Sequence, residues 1–177
     1  QMQKTILHLD LDTFFVSCER LIDSRLQNRP LLVGGTGDRG VVAACSYETR
    51  LYGVHSGMSM KVARRLCPQA VIIKGNSGVY TKYSHLVTEI IKAQVPVFEK
   101  ASVDEFYADL TGMDKFHGTY KYASELRQKI MKDSGLPISF GLSSNKIVSK
   151  VATGEAKPNN QLKIDSGFEK SFLAPLS

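Results

Sequence analysis

The sequence predicts an α+β fold, a ferredoxin-like split βαβ sheet with a small α/β lobe inserted after its first strand. Three observations predict it. Apolar residues alternate with period 2 at 5–11, 97–103 and 106–110, the signal of strands. Longer stretches at 79–94 and about 119–133 carry helical apolar stripes. Short elements crowd into residues 13–75. Setting that lobe aside leaves strand, helix, strand, strand, helix, strand. A chain of 177 residues with 42% hydrophobic residues can bury a core for one domain with a smaller lobe.

Residues 5–11, T-I-L-H-L-D-L, put Leu7, Leu9 and Leu11 on one face of a strand and Ile6, His8 and Asp10 on the other. An acid in so apolar a strand is costly to bury unless it is paired, binds metal or lies at the strand's wet end. Asp12 reads as the N-cap of a helix from Thr13 to about Asp23, striped by Phe14, Cys18, Leu21 and Ile22. Pro30 opens a strand at 31–33. Gly35, Gly37 and Gly40 then match G-x-G-x-x-G, but a strand at 41–45 follows instead of a helix, and 55–60 contains no acid. No Lys-Ser/Thr pair follows Gly40 either. The stretch therefore reads as a hairpin turn, neither a dinucleotide loop nor a P-loop. Ser46 can cap a helix at 47–52, where Tyr47 and Arg50 share a face. Ser59 introduces a helix at 60–66, and 71–73 is a short strand.

Beyond Asn76, the helix at 79–94 carries Tyr83, Leu86, Val87, Ile90 and Ile91. The two strands of the 97–110 hairpin follow, then a turn at Thr111-Gly112 and a helix closed by Gly135, a good C′ residue. A strand at 137–142 leads to Ser144, a candidate cap for a basic helix with Lys146 and Lys150. Ala156 to Asn160 breaks that helix, and 161–164 can form one more strand.

The composition narrows the classes. No apolar run reaches the length of a membrane span, and no secretory signal is visible. Cys18, Cys45 and Cys67 are odd in number and widely spaced, which argues against a disulfide framework or a zinc site and fits a reducing cytoplasm. The net charge of +6 permits a polyanionic partner.

Residues 101–110, A-S-V-D-E-F-Y-A-D-L, put Asp104 and Glu105 at a reversal between two strands. Tight hairpins favour Gly and Asn, and this one has neither. A solvated acidic tip and a metal site explain it equally well. A further carboxylate on a neighbouring strand would decide, and in a sheet shared with 5–11 Asp10 comes near. Three carboxylates at one point need raised pKa values or cations. Two Mg²⁺ ions about 4 Å apart are a recurring solution in phosphoryl-transfer sites, and acids without Cys or His suit magnesium. A triphosphate needs donors, and Tyr47, Arg50 and Lys157 are the right types.

At this point the chain resembles the Y-family, lesion-bypass DNA polymerases, close to their DNA polymerase IV branch. The carriers are L-D-L-D-T-F-F (9–15), S-Y-E-T-R-L-Y-G-V (46–54), S-V-D-E (102–105), G-L-S-S-N-K (141–146) and A-K-P-N (156–159). The resemblance implies a template-directed DNA polymerase, a nucleotidyltransferase that uses two Mg²⁺ ions. It implies a palm at 1–12 and 76–166, fingers at 13–75 and the start of a thumb at 167–177. Asp10, Asp104 and Glu105 match the metal-binding acids, Asp104 and Glu105 as the catalytic pair, and Leu11 would add its carbonyl. Phe15 matches the residue that excludes a ribose 2′-hydroxyl, with Phe14 beside it, and Tyr47, Arg50 and Lys157 match the triphosphate contacts. Lys146 and Lys150 read as a solvated face or as primer-template contacts. The implied partners are primer-template DNA, a deoxynucleoside triphosphate and a sliding clamp reached through regions C-terminal to this stretch, with no membrane. The expected location is the cytoplasm, at the nucleoid in a bacterium.

Two positions depart from the family pattern: Ala44 stands where many relatives carry a hydroxyl residue, and Asn160 replaces a frequent Gly. The stretch also ends where the thumb would begin, so weak DNA binding and little activity are expected of it alone. A nucleotide cyclase sharing the two-metal palm and a non-catalytic DNA-binding module of the same fold are the competing readings. Neither calls for both Phe15 and the full set of acids.

Overall fold

The structure, a computed structural model, describes residues 3–113 and 118–176. Residues 1, 2 and 114–117, within the expected palm span, and 177, at the expected thumb start, lie outside the described residues.

In chain order the elements are β1 (Ile6–Leu11), α1 (Phe14–Ile22), β2 (Leu31–Gly34), β3 (Val42–Cys45), α2 (Tyr47–Arg50), α3 (Met60–Leu66), β4 (Val71–Ile73) and α4 (Ser77–Gln94). They continue with β5 (Phe98–Lys100), β6 (Glu105–Asp109), α5 (Thr119–Ser134), β7 (Ile138–Ser143), α6 (Lys146–Ala156), β8 (Gln161–Lys163) and α7 (Glu169–Leu173). Among the described residues no helix is long and apolar enough to cross a membrane.

The chain divides into two compact units, 1–12 with 83–177, and 13–82. The division falls inside α4, not at the expected 75/76. Tyr80 explains the difference: its ring lies 6.2 Å from Phe14, and its hydroxyl donates to Glu19 at 2.5 Å, which ties the start of α4 to α1.

The first unit is a five-stranded sheet in the order β5-β6-β1-β7-β8. β1 runs antiparallel to both β6 and β7, and β8 is parallel to β7. The first and third strands of the split βαβ pattern are thus central neighbours. Leu7, Leu9, Leu11, Phe106, Phe140 and Leu142 are buried, as is a stripe of α5 made by Ala123, Leu126 and Ile130. The α6 helix lies on the face of β1 that carries His8, where Ser149 Oγ donates to the Ile6 carbonyl at 2.7 Å. Its approach is close: a Cβ on Gly141 of β7 would lie 2.0 Å from the Ser149 carbonyl oxygen and 2.7 Å from the Thr153 nitrogen.

The second unit holds a three-stranded sheet, β3-β2-β4. Its core joins Leu32, Val42, Cys45, Val54, Met60, Ala63 and Cys67. β2 and β3 form the expected hairpin. Gly35 and Gly40 serve close backbone packing: a Cβ on Gly40 would sit 2.1 Å from the Gly35 carbonyl oxygen.

Several local expectations are corrected. The cap position of α1 is Thr13, at φ +39°, not Asp12, whose carboxylate turns to Ser139 and Asn159 instead. Leu21 and Ile22 face outward, and the buried side of α1 is Phe14, Val16, Cys18 and Glu19, because the Tyr80 hydroxyl satisfies Glu19 there. Ser46 stands at the N-cap of α2, but its hydroxyl accepts from the Leu31 N–H at 2.9 Å. The cap of α6 is Asn145, accepting from the Val148 N–H at 2.9 Å, since Ser144 donates to Glu169.

Candidate active site

The sheet register builds the site. Asp10 on β1 is the direct partner of Glu105 on β6 and, on its other side, of Ser139 on β7. Cross-strand partners place their Cβ atoms about 5 Å apart, so pairing alone brings the two carboxylates together. Asp104 precedes β6, and its carbonyl accepts the Leu11 N–H at 2.9 Å. The reversal is the 101–104 connection, and Glu105 opens the returning strand, which is why one acid sits in the sheet and the other at its edge.

The acids face lysines. Lys157 Nζ lies 3.0 Å from Asp10 Oδ1, and Lys150 Nζ lies 3.3 Å from Glu105 Oε1. The same Oε1 is 3.1 Å from His8 Nε2. His8, Asp10 and Glu105 each offer a ligand atom within 4.8 Å of the others, a set that does not include Asp104. Asp104 Oδ1 accepts from Ser102 Oγ at 2.9 Å.

Burial and the neighbouring acids push Asp10 up to about 6, against the pull of Lys157. Burial takes His8 down to about 4, despite the nearby Glu105 carboxylate. Burial alone would raise Glu105, but His8 and Lys150 outweigh it and hold its carboxyl below the ordinary value. His8 is therefore a neutral imidazole at neutral pH, its Nδ1 2.7 Å from Thr153 Oγ1.

His8 is a site neighbour that the sequence reading assigned no role. Its signal was positional: it lies two residues before Asp10 on a period-2 strand and so shares its face. Lys146, by contrast, pairs with Glu99 and lies 4.5 Å over the Tyr107 ring.

The other expected residues belong to the second unit and form two local groups. The Arg50 guanidinium lies 4.6 Å over the Tyr47 ring, as their shared helical face requires. Phe14 is buried, and the Phe15 ring stacks on Tyr80 with centroids 4.3 Å apart and planes 16° apart.

Residues 9–154 match the family described as impB/mucB/samB. The chain belongs to the impB/mucB/samB family. DNA polymerase IV of Dehalococcoides mccartyi strain CBDB1 is 43% identical over 175 residues, a match covering 98% of this chain and 45% of that protein. Among solved structures, the insertion ternary complex of Dbh DNA polymerase superposes with a TM-score of 0.88 at 26% identity, over 97% of this chain and 52% of that one. A Y-family DNA polymerase chimera of Dbh and Dpo4 gives 0.87 at 27% identity, over 97% and 52%. This impB/mucB/samB chain spans a little under half the length of the curated relative. Its match to the family begins at Leu9 and therefore takes in Asp10, Asp104 and Glu105, but stops before Lys157.

Proposed function

We propose that this chain is the catalytic fingers–palm part of a template-directed, translesion-type DNA polymerase. The palm would be 1–12 with 83–166, the fingers 13–82, and residues from 167 the start of a thumb. The observation that carries the reading is the β1–β6 register, which opposes Asp10 to Glu105 with Asp104 at the strand edge. Membership of a family whose similar members are named DNA polymerase IV supports it.

The donor set fits two Mg²⁺ ions. Asp10, Asp104, Glu105 and the Leu11 carbonyl are hard oxygen donors, and burial, with Asp104 and Glu105 adding to it, raises Asp10 in the absence of a cation. When bound, the ions lower the pKa of the attacking hydroxyl and offset charge on the departing pyrophosphate. Tyr47, Arg50 and Lys157 hold the triphosphate of the incoming deoxynucleotide. Phe15, its ring backed by Tyr80, excludes a ribose 2′-hydroxyl, with Phe14 beside it. Lys150 and Lys146 serve the primer-template phosphates. The primer 3′-oxygen bonds to the α-phosphorus as the bond to the β-phosphate oxygen breaks, releasing pyrophosphate, and the hydroxyl proton passes to water.

The test is primer extension by the chain supplied with thumb and DNA-gripping domains. Mg²⁺-dependent extension that disappears in Asp104→Ala is expected. Release of a cyclic nucleotide from ATP or GTP alone would favour the cyclase reading instead.

A further inference from the structure

The structure assigns Asp12 a job that its place beside the site does not announce: we infer that Asp12 is the positioning residue for Lys157. The inference rests on the reading of Lys157 as a triphosphate contact, and it adds what holds that lysine in place.

Lys157 is the last residue tied to α6, its N–H donating to the Thr153 carbonyl at 3.1 Å. Beyond it the chain leaves the helix, and Pro158 has no N–H to offer. The next two backbone donors are therefore those of Asn159 and Asn160, and both go to one buried pair. The Asn159 N–H donates to Asp12 Oδ2 at 2.5 Å, and the Asn160 N–H donates to Ser139 Oγ at 3.1 Å. Ser139 in turn donates to the Asp12 carboxylate, with both oxygens 3.0 Å away. Asp12 is 1% exposed and Ser139 0%. A buried carboxylate that accepts a hydroxyl and a backbone N–H is well supplied with donors, and removing it would strand both. Arg127 closes the loop from outside, its Nη2 donating to Asn159 Oδ1 at 2.8 Å and its Nε to the Ile138 carbonyl at 2.6 Å.

Asn159 sits at φ +49°, a conformation that asparagine tolerates better than most residues. The loop therefore has no regular structure of its own to hold it, and its backbone donors are spent on Asp12 and Ser139. Asp12 directly follows the strand that carries Asp10, and the Asp12 N–H donates to the Pro137 carbonyl at 2.9 Å. One stretch of backbone thus fixes both the carboxylate of Asp10 and, through Asp12, the origin of the side chain whose ammonium lies 3.0 Å from it.

The experiment combines amide hydrogen exchange with Mg²⁺–dTTP binding by equilibrium dialysis, on the 177-residue chain. Asp12→Ala is expected to remove protection from the Asn159 and Asn160 amides while β1 and β7 stay protected. It is also expected to weaken dTTP binding about tenfold, as Lys157→Ala does. In the Lys157→Ala background, Asp12→Ala should change affinity less than twofold, because its effect passes through that side chain. Asp12→Asn, which keeps an acceptor for the Asn159 N–H, should recover most of the lost affinity. Should Asp12→Ala fail to fold, Ser139→Ala tests the same pair and is expected to expose the Asn160 amide. Unchanged protection at 159–160, or losses that multiply in the double variant, would overturn the inference. A native chain that binds no Mg²⁺–dTTP would overturn the function proposed above, and the exchange result would still decide whether Asp12 anchors the loop.

Discussion

The Lys157 ammonium stands 3.0 Å from Asp10 Oδ1, on a carboxylate that the proposed metal ions would share. Two cations cannot neutralise the same oxygen independently, so the lysine and the metal compete. Lys157→Met is therefore expected to tighten Mn²⁺ binding about fivefold at pH ~8, a shift of roughly 1 kcal/mol of the size a near-surface charge pair supports. The same change should weaken triphosphate binding. Manganese titration followed by electron paramagnetic resonance checks the first half. Weaker metal binding in the variant would mean that Lys157 supports the ions instead of competing with them.

Two opposed titrations share the site. Asp10 titrates at about 6 against an ordinary 3.8, so the folded protein holds that proton more tightly than the unfolded chain does. Its contribution to stability is lost as pH rises from about 4 to 6, on the order of 3 kcal/mol. His8 titrates at about 4 against 6.5, so here the unfolded chain takes the proton first. Its contribution is present at neutral pH and lost as pH falls from about 6.5 to 4, by a similar amount. In the metal-free native protein the two slopes largely cancel. Asp10→Asn removes one of them, and its stability should climb between about pH 4 and 6.5 and exceed the native value above that window. Urea denaturation across the range measures this, and a flat profile in the variant would rule out the opposition.

Gly141 is expected to accept no side chain. A Cβ there would strike the Ser149 carbonyl and the Thr153 nitrogen, which are helix backbone and cannot swing aside. Gly141→Ala must push α6 off the sheet, at a cost of about 3 kcal/mol or more. It should disturb His8, Lys150 and Lys157 together, since α6 carries or contacts all three. Thermal denaturation gives the cost, and a variant within about 1 kcal/mol of native would show that the helix can shift freely.

On the function proposed above, Phe15→Ala in the chain supplied with thumb and DNA-gripping domains is expected to admit ribonucleotides. Tyr80→Leu should do so more weakly, because it removes the stacked ring but leaves Phe15 itself. Competition between dTTP and UTP in primer extension is the measurement. Unchanged discrimination in Phe15→Ala would take that residue out of the role.

That Asp10 comes near Asp104 and Glu105 was legible, because period 2 puts side chains on known faces and the element order puts 5–11 and the hairpin in one sheet. The strand-to-strand pairing of Asp10 with Glu105 was not, since the order of elements alone does not name β1's partners. Glu105 as an in-sheet acid and Asp104 as an edge one could not be read, since the end of a hairpin shifts by a residue without changing the pattern. Asp12 was misassigned for a related reason. An acid before a helix satisfies the local capping rule, and the partners that claimed it, Ser139 and Asn159, lie more than a hundred residues away. The place of His8 on the face of Asp10 was legible, but what it meets there was not. Its neighbours come from β6 and α6, whose placement only the folded sheet reveals.

The central place of β1 also governs how the chain can be made. It emerges before both its sheet neighbours, β6 and β7, the second of which follows about 130 residues later, roughly 7 to 26 seconds of synthesis at ~5–20 residues per second. Residues 13–82, by contrast, close their own sheet and core from contiguous sequence. On the ribosome the second unit can therefore mature while the strand carrying Asp10 waits with both its edges open, β6 and then β7 arriving afterwards.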